Sequence, residues 1–104
     1  MDTYDTAKTQ TINSINNNIN TIILYGSGGN GKTHLTKELQ EEFKNNNYTI
    51  YNPEKSYSWS KDDFVKDMNN ISSKKLLHFL FNPFEEWNIT CPDKPVEIIK
   101  MNIM

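Results

Sequence analysis

The chain reads as an α/β protein, a small three-layer sandwich around a parallel sheet of about four to five strands. Three observations predict this. Short β-branched or apolar runs alternate with segments of helical periodicity, the pattern of strand–helix–strand units. The run Lys75–Phe81 (KLLHFLF) is apolar without alternation, as in a central strand covered on both faces. All four glycines fall between residues 26 and 31, where a strand-like run meets a helix-like one.

The elements follow in order. Residues 1–19 are rich in Thr and Asn and stand apart from a domain of residues 20–104. Ile12, Ile15 and Ile19 lie at helical spacing there, which favours a weak amphipathic helix slightly over a tail, although Asn and Thr are poor helix formers. Thr21–Tyr25 (TIILY) has the length and β-branching of a buried strand. Leu35, Leu39 and Phe43 recur at i, i+4, i+8 as one helical stripe, which Asn45-Asn46-Asn47 should stop. Tyr48–Tyr51 is a second strand, ended by Asn52-Pro53, and residues 53–59 form a loop.

A second helix starts where Ser60 and Asp63 fit a capping box and Trp59 and Phe64 a hydrophobic staple. Phe64, Val65 and Met68 are its expected buried side, and Asn69-Asn70 its end. Lys75–Phe81 is the third strand. Residues 82–95, with three prolines, read as a loop with one helical turn, and Val96–Met104 as a fourth strand. Right-handed crossovers then place helices on both faces, and a ligand belongs at the carboxyl ends of the strands.

The glycines belong to Gly26-Ser27-Gly28-Gly29-Asn30-Gly31-Lys32-Thr33, which is G-x-x-x-x-G-K-T, a phosphate-binding loop. Small residues let successive amides turn inward around an anion, and the helix that follows adds its own amides and dipole. Lys32 would reach the terminal phosphates as a point charge, and the Thr33 hydroxyl is the expected Mg²⁺ ligand. His34, just inside the helix, either faces the nucleotide or is simply a partly exposed helix residue. The expected ligand is MgATP, with GTP as an alternative.

Composition sets limits. The net charge of −2 gives no global basic field for nucleic acid. All eleven basic residues are lysines, so no identical subunit can supply an arginine finger. Any cationic finger is a lysine or comes from a partner protein. Cys91 is the only cysteine, which rules out an intrachain disulfide. Residues 1–20 are polar, unlike a secretory leader, and no apolar run approaches membrane-spanning length. An intracellular location is expected. Fifteen asparagines, with abundant Ile and Lys, fit A/T-rich coding and a virus, mobile element or protist source.

With that loop the chain resembles the P-loop NTPases. GSGGNGKT is most similar to the Walker A loop of the superfamily 3 helicases and related primase-helicase ATPases of viruses and mobile elements. The resemblance is specific over residues 21–44 and topological beyond them. It implies that Gly28 to Thr33 contact phosphates. It also implies a Walker B strand ending in an acid that anchors Mg²⁺ through water. The natural candidate, Leu76–Phe81, is followed by Asn82. Glu85 and Glu86 follow and could reach back as catalytic acids. Asn82-Pro83-Phe84-Glu85 also reads as an N-cap with proline at the first helical position, and that reading is preferred. Glu54, Asp62 and Asp63 are other acids near element ends. The resemblance also implies a polar γ-phosphate sensor near the last strand's end, where Asn102 lies, although a plain surface asparagine is preferred. His78 reads as a core histidine. Tyr51, Tyr57 and Trp59 with Lys55 and Lys61 either stack bases or pack, and packing is preferred for Trp59.

Three functions are therefore expected in descending order. They are a slow or partner-activated ATPase, a nucleotide-binding module without hydrolysis, and a small kinase, which would normally use a lid of arginines.

Overall fold

The computed structural model describes residues 3–26, 31–43, 48–51, 61–69, 74–90 and 96–101. The elements are α1 (Thr3–Asn16), β1 (Thr21–Tyr25), α2 (Lys32–Glu42), β2 (Tyr48–Tyr51), α3 (Lys61–Met68), β3 (Lys74–Phe79), α4 (Pro83–Glu86) and β4 (Val96–Lys100). The four strands form one sheet in the order β2-β3-β1-β4, with every pairing parallel. The α/β reading is thus seen directly, with four parallel strands among the described residues.

Alternation along the inner strands assigns the two faces. Ile22 and Leu24 of β1 join Leu76 in a core with Leu35 and Leu39 of α2 and Ala7 of α1. Ile23 faces the other way and packs with Leu77, Phe79, Phe64, Met68 and Phe84. The sheet therefore lies between α1/α2 and α3/α4. The chain runs from β1 across β3 to β2, then back to β3, then past β1 to β4. Crossovers of one hand, right for parallel strands, must place α2 on one face and α3 and α4 on the other.

The N-terminal segment is a helix despite its weak propensity, because tertiary packing outweighs it. The buried face of α1 is Ala7, Thr11, Ser14 and Ile15, while Ile12 and Ile19 are only partly buried. Its two buried hydroxyls are satisfied within the helix, Thr11 Oγ1 donating to the Ala7 carbonyl at 2.7 Å and Ser14 Oγ to that of Gln10 at 3.0 Å.

Three expected boundaries and contacts change. Val65 is exposed, not core: Phe64 and Met68, four residues apart, form the buried stripe of α3, and Val65 turns away from it. The third strand is Lys74–Phe79 and does not continue to Phe81; Leu80 is 50% exposed. The last paired residues of β1 and β3 are Tyr25 and Phe79, and the Gly26 amide closes the ladder on the Phe79 carbonyl. The fourth strand ends at Lys100, and Met101 is buried beyond it. The asparagine run 45–47, the loop 53–59, the cap and staple residues Ser60 and Trp59, and Cys91 lie outside the described residues.

Lys75 is an unusual core member. It is fully buried on the α3 face, and its ammonium donates to the Asp67 carbonyl at 2.8 Å, tying down the last turn of α3. The Asp67 carboxylate is 4.0 Å away; burial raises its pKa above the ordinary value, with the Lys75 charge pulling the other way.

On the same face Phe64 meets Phe79 at 5.4 Å edge-on, Phe84 at 5.7 Å and Trp87 at 5.4 Å. This aromatic cluster fixes α4 against α3 and the sheet. No helix is long and apolar enough to cross a membrane among the described residues.

Candidate phosphate-binding site

The site is built at the carboxyl end of β1, an inner strand. Gly26 N donates to the Phe79 carbonyl at 3.1 Å, and Met101 N donates to the Tyr25 carbonyl at 2.8 Å. The strand end is therefore pinned from both sides where the loop departs. Ser27, Gly28, Gly29 and Asn30 lie outside the described residues.

The chain re-enters at Gly31, the N-cap of α2, with φ +83° and ψ 12°. This left-handed conformation explains the glycine, since other residues reach it only with strain. Space argues the same way: a Cβ here would lie 3.2 Å from Tyr4 Cδ2.

Gly31 has no side chain with which to cap α2. Its first intrahelical bond runs from Leu35 N to the Gly31 carbonyl at 2.9 Å. The amides of residues 32, 33 and 34 thus precede the hydrogen-bonded ladder, at the positive end of the helix. Lys32 is only 4% exposed, and its ammonium donates to the Gly26 carbonyl at 2.7 Å. The lysine thereby joins the first turn of α2 to the end of β1. Thr33 and His34 are exposed on the first turn.

A polar cluster joins α1 to α2 beside this turn. The Tyr4 hydroxyl donates to Glu38 Oε2 at 2.5 Å, and Lys8 pairs with Glu38 Oε1. The His34 Nε2 is 3.9 Å from the same carboxylate. Hydrogen bonds from Lys8 first and Tyr4 second hold the Glu38 pKa below the usual range. The Glu38 partnership raises the Lys8 pKa. Burial, then the Glu38 hydrogen bond, pushes the Tyr4 phenol upward. Sequence reasoning missed Tyr4. Its partner Glu38 is 34 positions away, so no local pattern signals it.

The expected Walker B region is arranged differently from a strand ending in an acid. The strand stops at Phe79, three residues before Asn82. Asn82 Oδ1 accepts from Phe84 N at 3.0 Å, with Pro83 beginning α4, so Asn82 caps that helix. Glu85 and Glu86 are exposed on α4, which packs through Phe84 onto the face opposite α2. Among the described residues neither carboxylate pairs with Lys32 or Thr33. Asp62 and Asp63 are exposed on α3, and His78 is a core residue, 1% exposed. Among the described residues no cluster of three or more His, Cys, Asp or Glu could hold a metal. Lys61 is exposed, while Glu54, Lys55, Tyr57, Trp59 and Asn102, and the Tyr51 side chain, lie outside the described residues.

The chain matches no known protein family, no curated protein and no solved structure.

Proposed function

We propose that the chain binds a nucleoside triphosphate, ATP with GTP as an alternative, at the N-terminus of α2. The carrying observation is Lys32. A lysine almost wholly removed from water, with its ammonium bonded to the Gly26 carbonyl, ties the end of β1 to the first turn of α2, and this supports a phosphate site between them. The amides of residues 32–34 and the helix dipole would face the phosphates, and Lys32 would exchange a carbonyl for phosphate oxygens. Thr33 is exposed at the second helical position and fits a single hydroxyl ligand to Mg²⁺. Such an ion typically keeps phosphate and water oxygens for its other ligands and neutralises phosphate charge.

Two readings of the chemistry follow. In the first, the protein is a slow or partner-activated NTPase of viral helicase-like type, with Glu85 or Glu86 approaching the site on loading. In the second, it is a nucleotide-binding module without turnover. A specific observation favours the second: β3 ends at Phe79 with no acid before Glu85, and the glutamates sit on α4 at the opposite face. The absence of arginine removes a further source of transition-state charge, worth about 10³–10⁵ in rate where a finger acts.

Calorimetry with MgATP tests binding. Release of labelled γ-phosphate, with and without single-stranded DNA, tests turnover. Binding with turnover supports the first reading, and binding alone the second. Equal MgATP binding by wild type and Lys32→Ala would refute both.

A further inference from the structure

We propose that the imidazole of His34, backed by the ring of Tyr4, is the stacking face for the base of a bound purine nucleoside triphosphate. This rests on the phosphate-loop reading above and extends it from the phosphates to the base.

Gly31, His34 and Glu38 succeed one another at intervals of three and four residues, so they share one face of α2. Tyr4 lies along that face. Its ring borders Gly31, its centroid is 5.7 Å from that of His34 with the planes at 41°, and its hydroxyl reaches Glu38 at 2.5 Å. Lys8 holds Glu38 from the same helix as Tyr4. The tyrosine ring is thus fixed at both ends and forms a rigid wall. His34 differs: its side chain is 77% exposed, so part of the imidazole stays open to solvent.

Position links this pair to the nucleotide. His34 is the third residue of α2, and its amide is one of those that would face an anion. Only a ribose separates a base from its α-phosphate, so a triphosphate held at these amides delivers its base to the flank of the same turn. Tyr4 and His34 are the aromatic rings described there. An open groove of about 670 Å³, lined by His34, Lys37, Glu38, Glu41 and Glu42, continues from this point along α2. Three carboxylates make it unfavourable for a second anion and leave it open to a neutral sugar and base. Stacking tolerates any base, and purines offer the larger surface.

Isothermal titration of the full chain with MgATP and with inorganic tripolyphosphate plus Mg²⁺ tests this. Tripolyphosphate reports on the loop alone, so the ratio of the two dissociation constants isolates the base. His34→Ala should shift that ratio about tenfold against ATP, the order of one base–aromatic stack. Tyr4→Phe, which keeps the ring, should leave the ratio within about twofold on the same scale. GTP should behave as ATP does. An unchanged ratio in His34→Ala, including an equal loss for both ligands, overturns the proposal. Failure of the wild-type chain to bind either ligand refutes the phosphate-loop reading itself, and the base site with it.

Discussion

The ammonium of Lys32 lies 2.7 Å from the carbonyl oxygen of Gly26, so the residue after the loop holds the residue before it. The lysine itself is almost removed from water. A triphosphate entering the loop would replace one carbonyl with several charged oxygens, a gain for the lysine.

Lys32→Ala should therefore lower MgATP affinity by about 10- to 100-fold, the range for a hydrogen bond to a charged group. The ligand-induced rise in melting temperature should shrink with it. Titration calorimetry and thermal melts with and without MgATP measure the two effects.

Gly31→Ala should destabilise the chain by about 1–2 kcal/mol from backbone strain alone, because Gly31 sits at φ +83°. The new methyl would also press on Tyr4 at 3.2 Å. Adding Tyr4→Ala removes that contact but not the strain. In urea denaturation, the double variant should remain less stable than Tyr4→Ala alone. Equal stability of the two would show that the left-handed geometry does not constrain this position.

Asn82 accepts the Phe84 amide as the cap of α4. Asn82→Ala should cost about 1 kcal/mol, and Asn82→Asp, an equally good cap, only a few tenths. Both should leave MgATP affinity within about twofold. A stable Asn82→Ala variant that loses nucleotide binding would place Asn82 in the site instead.

Acid should loosen the junction of α1 with α2. The Glu38 pKa is depressed in the folded chain, chiefly by the Lys8 and Tyr4 hydrogen bonds. Its contribution to stability is present above the unfolded value and is lost as pH falls through the lower folded one. The wild type should lose stability below about pH 4.5, near the ordinary glutamate pKa. Glu38→Gln should show a shallower dependence in that window. Chemical denaturation at a series of pH values compares the slopes; identical slopes would mean that Glu38 carries no such linkage.

Much of the fold was legible because its signals are local. The bounds of β1 and β2 follow from short apolar or β-branched runs. The α2 stripe of Leu35 and Leu39 follows from helical periodicity, and the Asn82-Pro83 cap from neighbouring residues. The end of β3 was not legible. Leu80 and Phe81 continue the apolar run, but a strand's end is set by its pairing, and the register with β1 ends at Tyr25 and Phe79. Val65 likewise looks like core in composition, but it lies off the stripe of Phe64 and Met68 that α3 buries.

By itself, then, the sequence determined the alternation of strands and helices and the position of the glycine-rich loop. Both are written within windows of a few residues, where chain geometry and hydrogen bonding decide. Tertiary structure decided what surrounds that loop. It brought Tyr4 to Gly31 and Glu38, turned Lys32 back onto Gly26, and carried Glu85 and Glu86 onto the opposite face with α4. These relationships join residues distant along the chain, and they depend on strand order and crossover direction.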